Sequence, residues 1–347
     1  MNTGITYALL GAVLFGASTP AAKLLVGEIG PITLAGLLYA GSGLGLGLWL
    51  VLRRRVWPSV ERPTLAARDT KWLAGAVVSG GVIGPTLLML ALSAASASAV
   101  SLLLNLEGVF TALLAWFAFR ENFDRRVMAG MFLIVCGGAL LSWPKAGVST
   151  SWPAFAVAGA CLCWALDNNL TRKISAADPV QIAAIKGLVA GAVNLAASAI
   201  LGAPRPGGGA VVAAAAVGLL GYGVSLALFV AALRQLGAAR TGAYFATAPF
   251  IGAAASFAVL REAPDGLFWL ASVLMAAGVA LHLAERHGHA HAHEPLRHTH
   301  SHAHDEHHLH PHDFPWDGTE PHSHAHDHAP VTHSHEHYPD IHHRHGH

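Results

Sequence analysis

The sequence predicts an all-α, polytopic membrane protein of ten transmembrane helices, arranged as two inverted five-helix repeats. Three observations predict it: long uncharged apolar runs, a sharp alternation of loop charge, and a self-similarity at a spacing of 141 residues. Of the 347 residues, 53% are hydrophobic and 12% charged, which argues against a soluble enzyme.

A helix needs about 18 or more apolar residues to cross a bilayer. Segments 31–52 and 72–106 carry no charge at all. The second is too long for one helix and reads as a hairpin, broken near the Ser/Ala-rich stretch 93–98. Ten spans are predicted, at 5–26, 31–52, 72–93, 97–119, 127–143, 152–171, 180–201, 210–233, 239–260 and 266–284. The first lacks a basic start and is followed at once by another span, so it reads as retained rather than as a signal peptide. Cys136, Cys161 and Cys163 all fall inside spans and suggest no disulfide framework.

Lys and Arg are retained on the cytoplasmic side of a membrane. Arg53, Arg54, Arg55, Arg62, Arg68 and Lys71 follow span two; Arg120, Arg125 and Arg126 follow span four. Arg172 and Lys173 follow span six, and Arg234 and Arg240 flank the turn after span eight, giving thirteen charges on one side. The other loops hold three: Lys145, Arg205 and Arg261. Both termini are therefore expected in the cytoplasm, in a multi-pass protein of the cell (inner) membrane.

Sliding the chain by 141 residues places Ala91-Leu92 on Ala232-Leu233 and Arg120-Glu121 on Arg261-Glu262. Gly137 then falls on Gly278 and Ala139-Leu140 on Ala280-Leu281, while Gly138 meets Val279. Five spans per half is odd, so the halves enter the membrane in opposite directions. Such repeats place a substrate site near the midplane, between the halves. The predicted boundaries are 1–143 and 144–284 for the repeats and 285–347 for a tail.

The stretch Asn105-Leu-Glu-Gly-Val-Phe-Thr-Ala-Leu-Leu-Ala-Trp-Phe-Ala-Phe-Arg-Glu-Asn122 closely resembles the fourth helix of the EamA-type drug/metabolite transporter superfamily. Ala248-Pro-Phe-Ile-Gly through Arg261-Glu262 looks like its second copy, and Gly11 to Lys23 resembles the usual first helix. The resemblance covers residues 1–284 and implies a ten-helix carrier that exports or exchanges small molecules. Where that family commonly has proline, this chain has Gly108; Pro249 keeps the proline in the second copy. A helix break is therefore expected near Gly108. By the resemblance, Ser18, Thr19, Asn105, Tyr222, Tyr244 and Thr247 fall on helices that line the cavity.

Ionisable groups inside a bilayer cost roughly 2.5–3.5 kcal/mol each, so each needs a reason. Glu107, Asp167, Lys186 and Lys23 lie within spans. Glu107 and Asp167 are candidate proton-coupling or cation-binding carboxylates. The alternative is a structural Asp167–Lys186 pair, with Lys23 at the outer interface. Asn168, Asn169 and Asn194 add amides that either line the cavity or join helices. Gly43 and Gly47, and Gly187 and Gly191, are spaced for close helix packing; Gly80-Gly81 and Gly84-Pro85 suit bending. No phosphate loop, catalytic triad or nucleic-acid motif is present, so no enzyme activity, required cofactor or nucleic-acid partner is expected.

The tail holds 23 of the chain's 24 histidines; the other is His282. They alternate with small residues: His287, His289, His291, His293; His298, His300, His302, His304; His322, His324, His326, His328; His333, His335, His337. In an extended chain alternate residues share a side, so imidazoles converge, with interspersed Asp and Glu able to complete a metal shell. Zn, Ni, Co or Cu ions fit. The lack of hydrophobic periodicity predicts a disordered tail in the metal-free chain. The expected function is export of a transition-metal ion or metal complex by alternating access. The alternatives are export of a small organic metabolite, such as an amino acid or amine, with the tail as buffer or regulator, and a membrane-anchored metal sensor. The bilayer and a small-molecule or metal-ion substrate are the expected partners.

Overall fold

In lipid, a segment must satisfy its own backbone hydrogen bonds, and a helix does so locally. That constraint shapes the whole body. The computed structural model describes residues 3–56, 65, 69–119, 125–143, 152–174 and 177–283, with tail segments 288–293, 296–302, 322–328 and 331–336. The chain divides into two units, Met1–Glu285 and Arg286–His347.

Every regular element among the body's described residues is a helix. The first half runs α1 (Thr3–Val26), α2 (Pro31–Val56), α3 (Thr70–Ala76), α4 (Gly84–Ala94), α5 (Ala97–Leu103), α6 (Leu106–Phe119) and α7 (Arg125–Leu141). The second runs α8 (Trp152–Arg172), α9 (Pro179–Ile200), α10 (Gly208–Gly218), α11 (Ser225–Phe245), α12 (Ala248–Leu260) and α13 (Gly266–Leu283). Wide π-helical turns join α3 to α4 at Val77–Ile83 and α10 to α11 at Leu219–Val224. These occupy matching places at the 141-residue spacing, so the repeat is visible in local geometry as well as in sequence.

The hairpin expected at 93–98 forms, with Ala95 extended and Ser96 capping α5 through its hydroxyl. The helix break expected at Gly108 does not. It lies one turn earlier, at Leu104–Asn105, and Gly108 sits inside α6 with open space where a Cβ would point. Nothing forces the chain apart at Gly108, whereas the Asn105 amide competes for the helix backbone by donating to Leu102 O at 2.8 Å.

Spans eight and nine were expected as a hairpin, yet α11 is helical throughout. The rings of Phe229 and Phe245 stand 4.8 Å apart. A straight helix would separate residues sixteen apart by about 24 Å. α11 is therefore sharply bent between Phe229 and Phe245.

Antiparallel α2 and α9 form a closely packed seam. At one end Thr33 and Ser198 join through buried hydroxyls. In the middle, Gly43 and Gly187 bring the two backbones together, and a Cβ on either would strike the other helix. At the other end Arg53 pairs with the buried Asp178, whose second oxygen caps α9 at Val180 N. A Cβ on Gly47 would meet nothing within 4 Å, so Gly47 takes no part in the seam. Leu34, Leu38, Leu88, Met89, Leu92, Val100 and Val157 fill the adjoining core. Large apolar side chains such as Leu48, Phe132, Phe155 and Val212 point outward, as a lipid-facing surface requires.

Within the tail, β1 (Gly288–His293) pairs with β4 (Val331–Glu336), and β2 (Leu296–His302) with β3 (His322–His328), both antiparallel. The described tail segments are thus paired as strands. The His-x-His alternation has the two-residue period of a strand, which supplies the local reason.

The seam carries a stability prediction. Gly43→Leu should lower the stability of the detergent-purified protein by about 1–3 kcal/mol through overpacking. Gly47→Leu should leave it within about 0.5 kcal/mol. Thermal unfolding followed by tryptophan fluorescence checks both.

Candidate substrate pathway

Pro85 is the local origin of the polar centre. It has no N–H, so the carbonyls one helical turn earlier lose their usual donor. The Gly84 N–H is already spent on Ser79 O in the π-turn. Side chains from three other helices fill the gap. Tyr39 OH of α2 donates to Gly80 O at 2.7 Å, and Trp164 Nε1 of α8 donates to the same oxygen at 2.9 Å. Asn194 Nδ2 of α9 donates to Gly81 O at 3.3 Å, and the Thr86 hydroxyl approaches the Asn194 amide oxygen at 3.4 Å.

Asp167 lies against this turn. A Cβ on Gly80 would overlap its carboxylate, so glycine is required there by the close approach. Lys186 Nζ reaches both Asp167 oxygens, at 2.6 and 2.5 Å, and Thr171 Oγ1 donates to one of them at 2.9 Å. Asp167 is buried and Lys186 nearly so. Each charge compensates the other in a setting where either alone is costly.

Glu107 is treated differently. It stands in the first turn of α6, just past the break at Leu104–Asn105, and is half-buried. Asn168 Nδ2 donates to Glu107 Oε1 at 2.9 Å. The adjacent residues Asp167 and Asn168 therefore address two carboxyl chemistries from neighbouring positions of α8. One carboxylate is matched by a cation and the other is met by a neutral amide.

An aromatic run drawn from both halves adjoins the polar centre. Tyr222, in the second π-turn, lies 5.7 Å from Tyr39 and 5.9 Å from Phe15 by ring centroids. Phe245 follows at 5.6 Å from Phe15. Tyr39 thus connects the rings to the Gly80 carbonyl and the polar centre.

The remaining expected residues serve their own helices. Asn105 and Ser18 bond to backbone carbonyls three residues back, at Leu102 and Phe15, and Asn169 to Ala165 O; Ser18 departs from this pattern in also hydrogen-bonding the Tyr222 side chain of the second π-turn. The Thr247 hydroxyl donates to Tyr244 O at 2.6 Å. Thr19 is buried, and Tyr244 is half-buried beside the α11–α12 joint. The structure brings together Glu107 with Asn168, and Asp167 with Lys186; it places Asn194 at the same π-turn. Tyr39, Trp164, Thr86 and Thr171 were not expected. Pro85 five residues after Gly80 was the signal available for Tyr39 and Trp164, since it announces orphaned carbonyls without saying who answers them.

The EamA-like transporter family matches residues 2–143 and again 151–284, one copy in each half. The chain belongs to the EamA-like transporter family. It is accordingly a multi-pass membrane carrier. It is 28% identical over 286 residues to an uncharacterized transporter of Methanothermobacter thermautotrophicus, covering 78% of this chain and 83% of that protein. A solved crystal structure shares the fold with a TM-score of 0.58 at 20% identity, over 80% of this chain and 95% of that one.

For this transporter, Asp167→Asn should cost about 3–5 kcal/mol, because Lys186 is left charged and unpaired. Asp167→Leu combined with Lys186→Met should recover most of that loss. Thermal unfolding of the purified variants measures both. If flux stays absent in the stable double variant, the pair serves transport as well as the fold.

Proposed function

We propose that this transporter is an alternating-access exporter of small solutes bearing a positive charge, with Glu107 receiving that charge. The observation that carries the reading is the contrast between the two carboxylates: Lys186 matches Asp167, whereas Asn168 offers Glu107 a neutral amide at 2.9 Å. A half-buried carboxylate inside a membrane attracts a cation, whether a proton or an ammonium group of the cargo. The ring faces of Tyr39, Tyr222 and Phe15 add a surface that favours organic ammonium ions. An amine or amino acid is therefore the first cargo class. The loop charges support cytoplasmic termini and a position in the inner membrane.

The tail favours a second reading, export of a transition-metal ion or metal complex. Its backbone register sets His298 opposite His326, His300 opposite His324 and His302 opposite His322. It also sets His289 opposite His335 and His291 opposite His333. Directly opposed positions on a ladder lie about 4.5–5.5 Å apart, a spacing that suits two imidazoles sharing one Zn, Ni, Co or Cu ion. On the first reading the tail buffers metal or regulates the carrier.

Proteoliposome flux tests the two readings, with radiolabelled amines and amino acids beside Zn²⁺, Ni²⁺ and Co²⁺. We expect saturable amine or amino-acid flux that falls about tenfold or more in Glu107→Gln and survives truncation after Ala284. Saturable metal flux that weakens on truncation would replace the first reading with the second. Flux unaffected by Glu107→Gln would remove Glu107 from either.

The tail makes a separate prediction. Full-length protein should bind several Zn²⁺ or Ni²⁺ ions that the truncated form does not. Imidazole must be neutral to ligate, so binding should weaken as pH falls through about 6.5, the ordinary histidine range. Equilibrium dialysis at two pH values reads this directly.

A further inference from the structure

The turn between α4 and α5 is held from both sides by charges of opposite sign. Lys23 Nζ, near the end of α1, donates to Leu92 O at 2.5 Å and to Ala95 O at 2.8 Å. These are carbonyls at the C-terminal end of α4, where positive charge is favoured. Glu262, just past α12, accepts from Ala97 N at 2.7 Å and Ser98 N at 2.9 Å. These are amides at the start of α5, where negative charge is favoured. The two residues come from different halves of the molecule and meet at one two-residue gap, Ala95-Ser96.

The segment presenting Glu262 is shaped for the task. Arg261 takes the left-handed conformation, φ 54° and ψ 32°, and is the non-glycine residue that does so among the described residues. Four residues later Asp265 caps α13 at Phe268 N, at 2.9 Å. The loop is thus anchored on both sides of Glu262. At the 141-residue spacing, Ala97 and Ser98 correspond to Ala238 and Ala239, which lie inside the continuous α11. Among the described residues, the extended break at Ala95-Ser96 has no counterpart in α11.

We propose that Lys23 and Glu262 are positioning residues for transport: they form a latch that seats α5 and closes the Arg-poor end of the bundle, and it must release for cargo to pass. This rests on the carrier reading above. A native reporter lies beneath α5. Cys161 of α8 is fully buried, with its thiol 3.7 Å from Leu103 O and 3.9 Å from Leu104 O, at the end of α5. Lifting α5 uncovers it.

The experiment measures modification of Cys161 by a small charged methanethiosulfonate, in full-length protein carrying Cys136→Ala and Cys163→Ala. Glu262→Gln and Lys23→Met should each speed the reaction by about threefold or more, the scale of a lost helix cap. Gly43→Leu serves as a control, loosening the α2–α9 seam without touching the latch. If labelling is unchanged in both latch variants, or rises equally in the control, the contacts are a static cap and the proposal is overturned. Labelling is read whether or not flux is seen, so absent flux in the unmodified protein counts against the carrier reading and leaves the latch to be decided by Cys161.

Discussion

Backbone hydrogen bonding in lipid is the constraint from which the rest of this molecule follows. An unbroken apolar helix meets it alone, and most of the body does so. The informative places are those where the helix is interrupted, because each must recruit a polar group from elsewhere. At Pro85 the freed carbonyls of Gly80 and Gly81 recruit Tyr39, Trp164 and Asn194 from three other helices. At Ala95-Ser96 the exposed carbonyls and amides recruit Lys23 and Glu262. At Leu104–Asn105 the chain answers itself through the Asn105 amide, with the Cys161 thiol approaching from α8. The polar centre and the interruptions are one phenomenon.

The same accounting separates the buried charges. Asp167 and Lys186 cancel at close range, and Gly80 leaves the space for Asp167 to approach the π-turn. Such a pair adds little net stability over an apolar replacement, since desolvation offsets most of the attraction. Its effect is specific: it fixes α8 against α9 and the π-turn in one register. Glu107, on α6, is met instead by the neutral amide of Asn168.

Symmetry and its breaking sit side by side. Both halves carry a π-turn at the matching place, and both have a joint at Leu104–Asn105 or its counterpart before α12. Yet one half is opened and clamped at Ala95-Ser96 while the other bends sharply through a continuous α11.

By itself the sequence determined the class of the molecule and the course of the chain. Apolar run length gave the spans, Ser/Ala and polar residues gave the hairpin at 93–98, and composition alone set the boundary of the histidine tail. These are properties of consecutive residues acting against lipid or water, so they can be read along the chain. The Asp167–Lys186 pair was legible as an alternative, since two opposite charges in adjacent spans invite it. What the tertiary structure decided was partnership. It chose Asn168 for Glu107, gave Tyr39 and Trp164 to one carbonyl, excluded Gly47 from the seam and moved the break from Gly108 to Leu104–Asn105. It also gave Lys23 the carbonyls at the end of α4. Each of those outcomes depends on which distant helix arrives at an unsatisfied group. That is fixed by packing geometry between residues tens to hundreds of positions apart, and no local pattern records it.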